Sequence, residues 1–417
     1  MDSIAFTADV PIRYQADVAV LGAGMAGVCA AVAAARAGAR VVLVERFAVA
    51  GGVLTTGGVA NFCGDLAGQG EVFDDILAQL RLYRAMESEH KGGFHYELLA
   101  VVLQELIRAS GIQLLLHARV AAVVRQQRRI QAVVLATKSG LEAVQARQFI
   151  DCTGEGDVAR FAGLSVMKGR SEDGLPLPMS VMYFVRHVDP QQVVVQMPPG
   201  RYDQIQTADD LPMTSIWADG PGSNAIKVKV PKFDATDTLS LTAAEMAARV
   251  RMMQVMHYHQ TVGGKPWRLD HCSPIIGIRE GCRIVGDYVL TVDDLRAGRN
   301  FDDAVARGSF YLDGHKVDDD KRTYILPPEQ RQVPPYQIPL GSLIARDADN
   351  LLMAGRCFSA DQLALSSARV STTCAMMGQA AGIAAAMSVQ AGADVRQIDP
   401  ARVRAAVEQR GANLQTG

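Results

Sequence analysis

Gly22-Ala23-Gly24-Met25-Ala26-Gly27 has the spacing G-x-G-x-x-G, and Glu45 closes the next apolar run. These residue types at this spacing suit a dinucleotide. Gly22 permits a tight turn, Gly24 lets the backbone approach a pyrophosphate, and Gly27 lets a helix pack closely on a strand. The pyrophosphate would sit at the positive end of that helix. Glu45 can accept hydrogen bonds from ribose hydroxyls. The segment 46–58 then carries Gly51, Gly52, Thr55, Thr56, Gly57 and Gly58. Its N–H groups and hydroxyls can reach phosphate or ribityl oxygens. A cofactor extending past its pyrophosphate fits this better than NAD does, so FAD is the expected cofactor.

Proton chemistry has one leading candidate, His315, because an unperturbed histidine titrates near the pH at which proton transfer is needed. The competing reading is a histidine that ties a loop. Arg279 and Arg283 stand four apart; on a helix they would share a face and could clamp a carboxylate. Gly277, Gly281 and Gly286 equally allow a strand or loop, in which the arginines pair with Glu280 or Asp287. His257, His259, His271 and Cys272 raise the question of a metal. On a helix His257 and His259 would point apart and no neighbouring carboxylate completes the set, so no metal is expected. Cys63 reads as a small apolar residue rather than as a covalent flavin link.

Elements that could position these groups follow from the pattern of apolar residues. Strands are expected at 17–21, 40–44, 113–117, 119–125, 130–137, 141–146, 148–151 and 350–353, and helices at 25–37, 95–108, 158–162, 242–259 and 369–388. The first and last of these helices lie in uncharged, Ala-rich stretches (18–35 and 370–393). Polar residues inside the second stretch and glycines inside the first make them close-packed elements rather than membrane spans. Gly378-Gln379-Ala380-Ala381-Gly382 would let the late helix lie against the early one. Thr242 and Glu245 read as a capping box for the helix after them, with Met246, Val250, Met253 and Met256 as its core stripe. The prolines between 176 and 335 mark an inserted region. The expected fold is α/β: a Rossmann-like FAD-binding domain, parallel sheet with β-meander, formed by residues 1–163 and 336–417 and interrupted by an α+β substrate domain at 164–335.

Taken together, 20–27, 44–58, 150–157, 277–315 and 351–386 resemble FAD-dependent oxidoreductases with a glutathione-reductase-like cofactor fold, and more narrowly the FAD_oxidored family. The narrowest match is Arg279-Glu280-Gly281-Cys282-Arg283-Ile284-Val285-Gly286, which resembles the family's R-E-x-x-R-x-x-G, with Asp313 and His315 after it. Relatives often carry a histidine shortly after the G-R-C of 355–357, where this chain has Asp361-Gln362. The resemblance implies FAD contacts at Gly22, Gly24, Gly27, Glu45, Arg46, Gly52, Val120, Gly154, Asp157, Gly355 and Arg356. Ala23, Ala26, Thr56 and Thr153 in the same loops complete the expected set.

Composition narrows the functions. The 417 residues are 49% hydrophobic and 21% charged with a net charge of −2, which gives no cationic field for nucleic acid or an anionic membrane. Seven scattered cysteines form no Cys-x-x-Cys, and Asp2 and Asp9 stand where a signal peptide would be basic, so a cytoplasmic protein is expected. No second G-x-G-x-x-G suggests a built-in NAD(P) domain. The expected reaction is hydride transfer from a small polar or anionic substrate to flavin N5, with an external acceptor (oxygen, a quinone or a carrier protein). The alternatives are a flavin monooxygenase or halogenase using NAD(P)H and oxygen, or a flavoprotein subunit that only relays electrons. A homo-oligomer is left open.

Overall fold

The computed structural model describes residues 4–88 and 92–416; Asp2 lies outside them. Val18, Ala19, Val20 and Leu21 are completely buried, as expected for a strand covered on both faces. They end the strand Ile12–Leu21, which pairs in parallel with Val41–Val44 on one side and Gly140–Asp151 on the other. Gln113–Leu115 extends the sheet beyond Val41–Val44, in parallel. The two strands expected at 141–146 and 148–151 are one. Its first part pairs antiparallel with Arg129–Thr137, which pairs with Arg119–Gln126 to make the meander. Its last three residues pair in parallel with Leu351–Met353. One strand can therefore carry both partners without a break, which the apolar pattern alone did not reveal.

Two helices cover this sheet and cross tightly. Met25–Arg36 buries ten residues, and Ser371–Ala391 runs against it. A Cβ on Gly378 would lie 2.1 Å from the Ala26 carbonyl oxygen, and one on Gly382 would lie 2.2 Å from that of Ala30. The small-residue spacing thus sets the approach of two backbones. The late helix does not begin at 369. Asp361 caps a separate short helix, Gln362–Ala368, by accepting from the Ala364 N–H at 2.7 Å. Arg369 ends it, Val370 is extended, and a new helix starts at Ser371.

A second, four-stranded antiparallel sheet has the order Thr214–Ala218, Ser223–Val230, Met179–His187, Trp267–Cys272. One face packs Val181, Tyr183, Ile226 and Val228 against Ala244, Ala248, Met252 and Val255 of the helix Thr238–Thr261. Alternation turns Ser180, Met182 and Lys227 to the opposite face, with Met182 directly across from Lys227. The helix starts four residues earlier than expected. Its cap is Asp237, whose carboxylate accepts from the Ser240 N–H at 2.7 Å. Thr242 lies inside the helix and donates to the Thr238 carbonyl; Glu245 pairs with Arg249 and accepts from Ile276. The stripe rotates accordingly, leaving Met246 68% exposed. Further on, Ile284, Leu290, Leu295 and Val305 pack into the core of the first sheet. Among the described residues no helix is long and apolar enough to cross a membrane.

Candidate functional site

A continuous cleft runs from the glycine motif of the first sheet to the free face of the second. Gly22 has φ +99°, and a Cβ there would lie 2.3 Å from the Cys152 oxygen, so neither the turn nor the contact tolerates a side chain. Gly24 borders open space: nothing lies within 4 Å of where its Cβ would be. It is also the N-cap of Met25–Arg36 and places no side chain on the helix's first N–H groups. An open, uncapped helix start facing a cleft suits an anion. The second glycine loop closes on the first through the Gly51 N–H, 2.7 Å from the Ala23 oxygen.

Glu45 is held by backbone donors, accepting from the Ala23 N–H at 2.8 Å and the Phe47 N–H at 3.0 Å. Burial raises its pKa, and those N–H groups oppose the rise. Glu155, almost completely buried, lies 3.2 Å from Arg46 and 2.7 Å from Arg356. Burial opposes the Glu155 charge, but the Arg356 and Arg46 guanidiniums outweigh it and hold its carboxyl below the usual range. A charge too deep to meet a ligand thus fixes two arginines in the cleft wall. Arg356 Nη1 is buried and has no hydrogen-bond partner.

Of the expected cofactor residues, Gly22, Gly24, Ala26, Glu45, Arg46, Gly52, Val120, Thr153, Gly154, Asp157, Gly355 and Arg356 line this cleft. Three do not. Ala23 serves Glu45 through its N–H. Gly27 packs against Gly22, whose oxygen a Cβ would meet at 1.8 Å. Thr56 donates its hydroxyl to the Gly52 carbonyl at 2.8 Å and steadies the loop.

At the other end Lys227, Arg279 and Arg369 converge on Asp313. Arg369 donates to the Asp313 carboxylate at 2.8 Å. Arg279 lies in a loop, not on a helix, and donates to Pro178 O and Ser180 Oγ, both at 2.7 Å. Burial, with the Arg369 charge, brings its pKa down to about 10. Arg283 does not share its face. It lies in the strand Cys282–Ile284, buried, donating to Gly169 O and Ala360 O and pairing with Glu280 at 3.4 Å. Gln362, at the departure from the family pattern, donates to Glu280 at 2.7 Å and is likewise outside the cleft lining.

His315 lies behind Asp313, not in the cleft lining. It is 2% exposed, with Nε2 3.2 Å from Asp313 Oδ1 and Nδ1 unpartnered. Burial and the Arg279 charge bring its pKa down to about 3, overriding the pull of Asp313. Burial works against the Asp313 charge, but His315 and Arg369 hold its carboxyl well below the usual range. A neutral ring in the fold that gains a proton once unfolded has a clear pH signature. Stability is lost as pH falls from about 6.5 toward about 3, because only the unfolded chain binds that proton. Wild type is expected to lose on the order of 3 kcal/mol more than His315→Gln between pH 7 and pH 4. Urea unfolding at both pH values checks this; equal losses would refute it.

Sequence reasoning named Asp313 only inside a family block, covered Arg369 only as part of the 351–386 block, and passed over Lys227. The available signal was Ala225-Ile226-Lys227-Val228-Lys229-Val230, two lysines on one face of a strand whose other face is apolar. Lys229 is completely buried and donates to the carbonyls of Asp319 and Arg322 at 2.6 and 2.7 Å, tying down the loop that follows Asp313 and His315.

A parallel sheet with a meander, a glycine turn at an open helix start and a second sheet closing the cleft define a flavin-binding oxidoreductase. The chain belongs to the FAD dependent oxidoreductase family, which it matches over residues 17–407, and FAD is its cofactor. No protein of curated function matches its sequence. Among solved structures it is similar in fold to a geranylgeranyl bacteriochlorophyll reductase-like protein from Thermoplasma acidophilum. That match has 12% identity and a TM-score of 0.53, over 96% of this chain and 84% of the other. Weaker likenesses include a p-nitrophenol 4-monooxygenase from Pseudomonas putida (12% identity, TM-score 0.47, 96% and 88% of the chains). A flavin-dependent brominase is another (12%, 0.45, 95% and 83%).

Proposed function

We propose that this protein oxidises a small polar substrate bearing an anionic group, passing the electrons to an external acceptor. The observation that carries this reading is the cationic end of the cleft. Lys227, Arg279 and Arg369 line it, and among the described residues Asp313 is the one carboxylate that faces them there. An unbalanced positive charge in a recess partly closed to water favours a bound anion strongly.

Bound FAD would supply a two-electron acceptor at its N5. The residues of 1–163 and 336–417 that line the cleft would hold it. Gly22, Gly24, Ala26 and Gly52 would give the pyrophosphate its backbone approach. Glu45 would accept from the ribose, and Val120 would flank the adenine. Arg46 and Arg356, fixed by Glu155, would face the phosphates, with Thr153, Gly154, Asp157 and Gly355 completing the wall. Val370, Ser371 and Cys374 bring the start of the late helix to the same cleft, where its positive end favours added negative charge. Residues 164–335 would supply the substrate wall. Arg279 would orient the anion, and Asp313, itself fixed by Arg369 and His315, would keep the cations apart.

Anaerobic mixing of the holoprotein with a panel of small alcohols, amines and hydroxy acids tests the reading. Flavin bleaching by members carrying a carboxylate, and not by their neutral amides, is the expected result. Bleaching by NAD(P)H alone, with oxygen consumed on admission of air, would instead make it a flavin monooxygenase or halogenase. No turnover alone, with a stable partner recovered, would make it a relay subunit.

A further inference from the structure

We propose that Lys227 is the base that takes the substrate's hydroxyl proton as the adjacent carbon gives up hydride. The inference rests on the reading above and adds a substrate class to it: an alcohol carrying an anionic group. In the step, the substrate O–H bond breaks and an N–H bond forms at Lys227 Nζ. The C–H bond breaks, hydrogen leaves with the bonding electron pair as hydride, for which bound FAD would be the two-electron acceptor, and the carbon becomes a carbonyl.

The placement follows from strand register. Lys227 sits across from Met182, and both line the cleft. Among the described residues Lys227 Nζ has no hydrogen-bond or ion-pair partner, whereas Lys229, two residues on, is tied to two carbonyls. The other candidates are already committed. His315 is outside the lining with its Nε2 against Asp313. Asp313 is held ionised by His315 and Arg369 and is a weak base. The Cys63 thiol, also in the lining, is pushed up by burial and stays protonated.

Charged and titratable groups face Lys227 from four segments: Arg279, Asp313, Cys63 and Arg369. Burial and then Arg279 lower the pKa of Lys227 to about 8, while Asp313 opposes the shift. A neutral amine is therefore within reach near neutral pH, in the range that suits a general base. Substrate binding by Arg279 and proton removal by Lys227 are then separate tasks on neighbouring segments.

The test uses the FAD-loaded protein and two readouts. Competitive acetylation with acetic anhydride, read by mass spectrometry across pH, reports the titration of Lys227 itself, independent of turnover. Stopped-flow flavin reduction by small 2- and 3-hydroxy carboxylates reports the chemistry. Lys227 is expected to titrate near pH 8, and wild-type reduction to rise through the same pH. Lys227→Met should lose on the order of 100-fold in rate together with that rise. Lys227→Arg should keep carboxylate affinity but lose the rate. A Lys227→Met or Lys227→Arg protein that keeps FAD, the rise and a rate within about threefold of wild type overturns the role of Lys227. If no hydroxy carboxylate bleaches the wild-type flavin, the underlying reading fails first and this inference falls with it.

Discussion

Gly378→Ala is expected to destabilise the protein by about 3 kcal/mol and to weaken FAD retention in what still folds. The added methyl group would have to sit 2.1 Å from the Ala26 carbonyl oxygen, well inside contact distance. That oxygen belongs to the backbone of Met25–Arg36, so no side-chain rotation relieves the clash. The helices must part, and Gly382 against Ala30 one turn later resists any local hinge. Both helices start at the cleft, so parting them also moves the two positive helix ends that open onto it. Gly24→Ala should behave in the opposite way. Its Cβ meets no protein atom, so stability should fall by no more than about 1 kcal/mol, the cost of replacing Gly by Ala at an N-cap. FAD affinity should nevertheless fall, because the methyl group enters the space left for the pyrophosphate. Urea unfolding of the apoprotein and FAD titration separate the two effects. Equal stability of wild type and Gly378→Ala would contradict the packing argument.

The second large effect is expected at Arg279. Arg279→Met should raise the dissociation constant of an anionic substrate by about 100-fold or more, the usual scale for truncating a buried charged hydrogen-bonding partner. FAD affinity should stay close to wild type if Arg279 serves the substrate, as proposed. A further consequence distinguishes this role from a structural one. Arg279 is the second cause of the lowered Lys227 pKa, after burial. Removing its charge should move the pH dependence of flavin reduction upward. Binding measured by flavin absorbance changes, together with the pH profile, checks both. Unchanged substrate affinity, or a pH profile that stays in place, would remove Arg279 from the substrate wall.

The cofactor half was legible because its determinants are local. Turn glycines, a helix start, a buried strand and the terminal Glu45 lie within one short stretch, and each has a backbone reason for its spacing. The substrate half was legible only in fragments, because it is assembled across distant segments. Lys227 and Met182 are brought opposite each other by an antiparallel sheet, Arg279 comes from a loop, and Arg369 from the end of the short helix before the late one. A four-residue spacing suggested that Arg279 and Arg283 work together, but the strand at Cys282–Ile284 sends them to different surroundings. His315 looked suited to proton transfer by residue type. Its burial and the Arg279 charge, which no sequence pattern reports, keep it neutral. The helix cap at Asp237 was missed for a simpler reason: Thr242 and Glu245 satisfied a familiar pattern one turn too late.

The most direct measurement is an anaerobic equivalence titration of the FAD-loaded protein with a small hydroxy carboxylate, following flavin absorbance without NAD(P)H. Full bleaching by about one equivalent of substrate per flavin, with the matching keto acid as product, is the predicted result for a two-electron hydride transfer. A flavin untouched by every anionic alcohol but reduced by NAD(P)H would contradict it.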